Sequence, residues 1–182
     1  SSPQFYFQDQ MSKFMYGESP RYTGFPTAED MDNADYNLAY EKYKERFADA
    51  GDFNFYFVGN IDEEKLVDYC ETYLASLPGK GSNETYNVMD FRPLTGSNEK
   101  VIEKGEDPKS SVRMTYHGPT TYNEKEAHAL KSLAEVLTIK LIEKLREEEG
   151  GVYGAGANAR ISNMPYDWYS FNISFPCGPE NV

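Results

Sequence analysis

The chain has 182 residues, enough for one good-sized domain or for one domain with an appendage. Its 18 Lys and Arg stand against 30 Asp and Glu, a formal net charge of -12, which argues against a nucleic-acid partner because phosphate binding needs clustered positive charge. With 15 tyrosines and 11 phenylalanines the composition is that of a globular protein rather than an acidic disordered tail, and no apolar run approaches the ~18 residues of a membrane helix.

Residues 1–26 mix aromatics with proline and glycine and read as the tail of a preceding element plus a linker. Thr27 is a cap residue with an acid, Asp30, three positions on, and it starts a helix that runs to Ala50. Tyr36, Tyr40, Tyr43 and Phe47 form one face of that helix. Phe53 to Gly59, "FNFYFVG", is dense in aromatic and β-branched residues and reads as a buried strand. Asn60 with Glu63 resembles a capping box, and Leu66, Cys70, Tyr73 and Leu77 make a second helical face stopped by Pro78-Gly79. Residues 79–98 read as a long loop in which Asn83-Glu84-Thr85 is formally a glycosylation sequon.

In "SSVRMTYHG", Val112, Met114 and Tyr116 alternate with Ser111, Arg113 and Thr115, the pattern of a half-buried strand. Asn123 and Glu126 open the longest helix, with an apolar stripe of Ala127, Leu130, Ala134, Leu137, Leu141 and Leu145. Gly150-Gly151 ends it, as helix C-termini prefer. Val152 to Ile161 and Tyr166 to Phe175 then form two strands around "SNMP". This order predicts an α+β fold, a two-layer sandwich of a mainly antiparallel sheet with helices on one face. Cys70 and Cys177 are far apart, and no C-x-x-C or Cys/His cluster supports a zinc finger or a redox motif. The chain lacks a starting methionine and stops at "CGPENV", which reads as an excised fragment, with part of its last domain missing and an apolar sheet face left partly uncovered.

The stretch "LREEEGGVYGAGA", Leu145 to Ala157, carries the strongest motif. Its glycines do not make a dinucleotide fingerprint. That fingerprint needs a strand before and a helix after, whereas here a helix ending in Glu147, Glu148 and Glu149 precedes and a strand follows. One reading is a capped helix with a solvated charge run. Yet three acids in a last turn oppose the helix dipole, and a strand of Gly154, Ala155, Gly156 and Ala157 often marks close approach of another backbone.

"LREEEGGVYG" closely resembles the substrate-contacting motif of the pitrilysin/insulinase family of zinc metallopeptidases. "FNFYFVGNID…YLASLP" is similar to the strand-helix unit of the same domain type. "YGESPR" and "AYEKYKERFADAGDF" resemble the segment leading into it, and "KGEDPKSSVRMTYHGP" the strands between the two helices. The resemblance runs from about Phe14 to Pro179. It implies a parent of four homologous α+β repeats closing around a chamber, with zinc held in the first repeat by an inverted H-x-x-E-H motif plus a distal glutamate. It also implies a fourth repeat that supplies an arginine and, seven residues on, a tyrosine; Arg146 and Tyr153 match that pair.

By this resemblance residues 51–182 are the C-terminal repeat and residues 1–50 the linker and helix ending the one before. Tyr153 would donate to the oxyanion and Arg146 would position substrate. The Gly150-Gly151 turn would point both side chains into one cleft. The implied partners are a peptide or unfolded polypeptide and the remaining repeats, and the implied cofactor is zinc in the parent and none in this chain. The periplasm or cell envelope of a bacterium is the implied compartment. The departure is that His117 and His128, the only histidines, lie in no H-x-x-E-H motif. Two other readings stay open: a non-catalytic structural or partner subunit of the same fold, and a binding module of an unrelated α+β family.

Overall fold

The computed structural model describes residues 2–17, 19, 24–81, 84–89, 91–148, 150, 152 and 154–182, with the Glu148 side chain excepted. Asn83 of the sequon lies outside the described residues. By their contacts the residues fall into two units, one of Phe25–Asn87 and one of Ser1–Gly24 with Val88–Val182.

In the Phe25–Asn87 unit, Thr27 caps a short helix, α2 (Ala28–Asp32), with both halves of a capping box: its hydroxyl accepts from the Asp30 N–H at 3.1 Å, and its own N–H donates to the Asp30 carboxylate at 2.7 Å. The helix expected to continue to Ala50 is broken. The Asp35 carboxylate accepts from the N–H groups of Asn37 and Leu38 and starts a new helix, α3 (Tyr36–Arg46). Short acidic side chains compete for backbone N–H groups in this way and favour caps over helix interiors. The aromatic face is as read from the spacing: Tyr36 stacks on Tyr40, and Tyr43 meets Phe47 at 4.7 Å between ring centroids. It is exposed, Tyr36 by 78%.

Phe53–Val58 differs from expectation. It forms no strand among the described residues, and Val58 is 98% exposed. β-rich composition describes side chains that suit a sheet, but a strand also needs a partner backbone to take its hydrogen bonds. The next cap is Asp62 rather than Asn60, accepting from the Lys65 N–H at 3.2 Å at the start of α4 (Glu63–Tyr69). The helix widens into a π turn, Cys70–Leu74, and ends before Pro78.

In the other unit three strands pair antiparallel in the order β1-β3-β2: β1 (Ser110–Pro119), β2 (Gly156–Ser162) and β3 (Trp168–Cys177). The register puts Val112, Met114 and Tyr116 opposite Phe175, Ile173 and Phe171, so the apolar alternation of the two strands falls on one face. Arg113, Thr115 and His117 meet Ser174, Asn172 and Ser170 on the other, polar face. There Thr115 donates to Asn172 at 2.8 Å and Asn172 donates to Asn158 at 3.2 Å, a side-chain ladder across all three strands. The apolar face is partly uncovered: Tyr116 is 57% exposed and Met114 is exposed as well.

The first residues, read as a linker, contain a 14-residue helix, α1 (Pro3–Tyr16), capped by Ser2 and beginning with proline. It lies over the polar face of the sheet and is tied to the chain after residue 90 by the Leu94 N–H, which donates to the Met15 carbonyl at 2.7 Å.

The longest helix, α5 (Glu124–Leu141), is capped by Asn123, which accepts from the Glu126 N–H at 3.1 Å. It packs along β2. The stripe residues Leu130, Leu137 and Leu141 are half-buried and Ala134 is 2% exposed, whereas Leu133, Val136 and Ile139 off the stripe face solvent. The Thr138 hydroxyl joins helix and strand: it accepts from the Ala157 N–H at 2.9 Å and donates to the Ala134 carbonyl at 2.9 Å. β2 is an edge strand, so this contact covers part of a ladder that would otherwise be open. Thr138→Val keeps the shape and leaves the part-buried Ala157 N–H unpaired. A loss of about 1–3 kcal/mol in urea unfolding is expected, against less than about 0.5 kcal/mol for Val136→Thr on the exposed side.

Candidate functional site

The candidate site begins where α5 ends. Past Leu141 the helix loosens into a π-helical segment, Ile142–Glu148, of a kind that recurs at functional positions. Arg146 sits on this segment, exposed, with no ion pair among the described residues. The neighbouring Lys140–Glu143 pair, 2.7 Å apart, lies on the surface and contributes little.

Gly150 follows at φ +66°, the left-handed conformation that reverses a chain at a helix end and that other residues adopt at a cost of roughly 1 kcal/mol. A Cβ built there meets nothing within 4 Å, so the requirement for glycine is conformational rather than steric. Val152 is buried and makes an isolated antiparallel bridge to Cys177, which fixes the chain beside the end of β3 after the reversal.

Tyr153 and Gly151 lie outside the described residues, as does Glu149. The structure therefore describes Arg146 on the last helical segment and Gly150 at the reversal, two of the four residues singled out from the motif. Ala157 of the Gly/Ala run meets α5 through the Thr138 side chain rather than through another backbone. Gly154 and Gly156 face open space.

The polar sheet face holds a second concave feature that the sequence pattern did not reveal, because it is formed with α1. This cavity of about 300 Å³ is bounded by α1 on one side and by Arg113, Thr115, His117, Trp168 and Ser170 on the other. The signal that could have disclosed it is the Ser2-Pro3 pair, a cap followed by proline at the first helical position.

A family model described as the peptidase M16 inactive domain matches residues 37–182, four-fifths of the chain. The chain belongs to this family. This M16 domain is 25% identical over 149 residues to a probable zinc protease, PqqL, of Haemophilus influenzae, a match covering 80% of this chain and 15% of that protein. It is likewise 25% identical over 142 residues to the probable zinc protease PqqL of Escherichia coli, covering 75% of this chain and 15% of that one. The M16 domain thus spans about 15% of the length of the curated relatives it matches.

Among solved structures it resembles a mutant of the ferredoxin protease FusC in complex with Arabidopsis ferredoxin. The TM-score is 0.69 at 16% identity, over all of this chain and 19% of that one, a likeness of fold. The α+β architecture read from the order of elements is the fold of this neighbour.

A zinc-protease family raises the question of whether this chain could hold the metal. Zinc takes three or four His, Cys or carboxylate ligands in tetrahedral array. His117 stacks on Trp168 at 5.7 Å in a cavity with no acidic lining residue. His128 lies in a groove with Lys131 and Arg160, whose charges oppose a cation, and only Glu124 as a possible co-ligand. Among the described residues no three His, Cys, Asp or Glu side chains gather at one point. The described residues of this M16 domain do not fit a zinc centre.

Proposed function

We propose that this M16 domain is the substrate-contacting, non-zinc C-terminal repeat of a zinc-dependent endopeptidase. In this reading residues 51–182 form the fourth repeat, residues 1–50 the end of the one before, and the zinc is held by another repeat of the parent. What supports it is Arg146: an exposed guanidinium, without an ion pair among the described residues, on a loosened last helical segment four residues before a left-handed Gly150, in a chain of the M16 family. An exposed arginine is available to a ligand, and its fixed fork of donors suits peptide carbonyls or a carboxylate.

Tyr153 adds the second function. A phenol stays protonated at neutral pH and can donate to an oxyanion as it develops on the scissile carbonyl. Gly150 supplies the reversal at the helix end. The substrate is a peptide or unfolded polypeptide, a class supported by FusC, a protease captured with a protein. The remaining repeats are the domain's partners, and the exposed aromatic face of α3 and the partly uncovered sheet face are surfaces that such partners would cover.

Separating zinc from substrate contact gives a direct test. The purified 182-residue chain, offered equimolar zinc and dialysed, should retain far less than one equivalent and should leave a mixture of unstructured peptides uncut. One equivalent of zinc held by His117 or His128, lost on substituting that histidine, would contradict the reading.

A further inference from the structure

We propose that the cavity between α1 and the polar face of the sheet binds a carboxylate group of a polypeptide, a site that does not depend on the roles of Arg146 and Tyr153. In a chain of net charge -12, none of the described residues lining this cavity is acidic. Arg113 lines it, with Nη1 3.4 Å from the Met11 sulfur, a weak acceptor that leaves the guanidinium's capacity largely unused. Unlike Lys13, Lys109 and Lys140, each within 3.1 Å of a carboxylate, Arg113 has no acidic partner among the described residues. Guanidinium and carboxylate match in geometry, two parallel hydrogen bonds from one planar fork.

The rest of the lining favours the same ligand. His117, which lines the cavity, has a buried Nδ1 with no hydrogen-bond partner among the described residues. The Trp168 ring stacks on His117, and Tyr166 meets Trp168 edge-on at 5.5 Å. The guanidinium of Arg92 lies 3.6 Å over the Tyr166 ring. About 300 Å³ accommodates one acidic side chain, or one chain terminus and its neighbouring residue.

Trp168 is the sole tryptophan, so its fluorescence reports on this cavity alone. The 182-residue chain is titrated with three peptides: N-acetyl-Ala-Glu-Ala-amide, N-acetyl-Ala-Ala-Ala with a free C-terminus, and the neutral N-acetyl-Ala-Gln-Ala-amide. A saturable change with at least one of the two carboxylates and none with the neutral peptide is expected, and which of the two responds identifies the source of the group. Arg113→Gln should weaken that response about tenfold or more and Arg113→Lys less, with the circular dichroism spectrum of each unchanged. Equal binding of the neutral peptide, equal binding to the Arg113→Gln variant, or no saturable change with either carboxylate up to about 10 mM would overturn the proposal.

Discussion

In the full-length parent, Tyr153→Phe is expected to lower kcat by about 10²–10³, or about 3–4 kcal/mol of transition-state stabilisation, with zinc content and melting temperature unchanged. The substitution removes one hydroxyl and keeps the ring, so packing is conserved. The loss falls on kcat because the donor meets full negative charge only in the tetrahedral transition state, and an interaction absent from the ground state does not contribute to KM. If Tyr153 were only a strand residue, the same change would shift stability by a few tenths of a kcal/mol and leave turnover alone. Steady-state kinetics on the two proteins, with metal analysis of the same samples, separates these outcomes.

Arg146→Ala should act differently. Arg146 is exposed and carries no ion pair among the described residues, so its removal leaves the melting temperature near wild type. A hydrogen bond from a charged donor to bound peptide contributes about 1.5–3 kcal/mol, so kcat/KM should fall about tenfold to a hundredfold, with most of the change in KM. Arg146→Lys should recover only part of it, since an ammonium group keeps the charge but not the planar fork. A normal KM in Arg146→Ala would remove the residue from the substrate contact, and a full rescue by lysine would reduce its role to charge.

The helix and the strands that carry the site were legible because each obeys one period. The α5 stripe from Ala127 to Leu145 separates cleanly from Leu133, Val136 and Ile139, which face solvent. Asn123 caps where its type and the acid at Glu126 indicated. The alternation in Val112–Tyr116 and Phe171–Phe175 assigns one apolar face. What failed depended on partners or on competing caps. Phe53–Val58 has the composition of a strand but no strand beside it among the described residues. Asp35 divides the expected α2–α3 helix because its carboxylate captures two N–H groups, and Asp62 outcompetes Asn60 by the same chemistry two residues on. The mixture of aromatics, proline and glycine in residues 1–26 suggested the tail of a preceding element plus a linker, without indicating that the first part is the 14-residue helix α1. Within the motif, a helix ending at its glycines was readable, and Gly150 has the left-handed φ that such an end takes. The Arg113–Trp168 cavity was not readable, because it exists only once α1 is laid across the sheet.

The most direct measurement is a crystal structure of the full-length parent with a peptide-like inhibitor that mimics the tetrahedral transition state. If this domain contacts substrate as proposed, the Tyr153 hydroxyl lies about 2.7–3.1 Å from the oxygen that stands for the oxyanion, and the Arg146 guanidinium hydrogen-bonds the peptide. An inhibitor bound at the catalytic centre with both side chains beyond hydrogen-bond reach would contradict a substrate-contacting role for the domain.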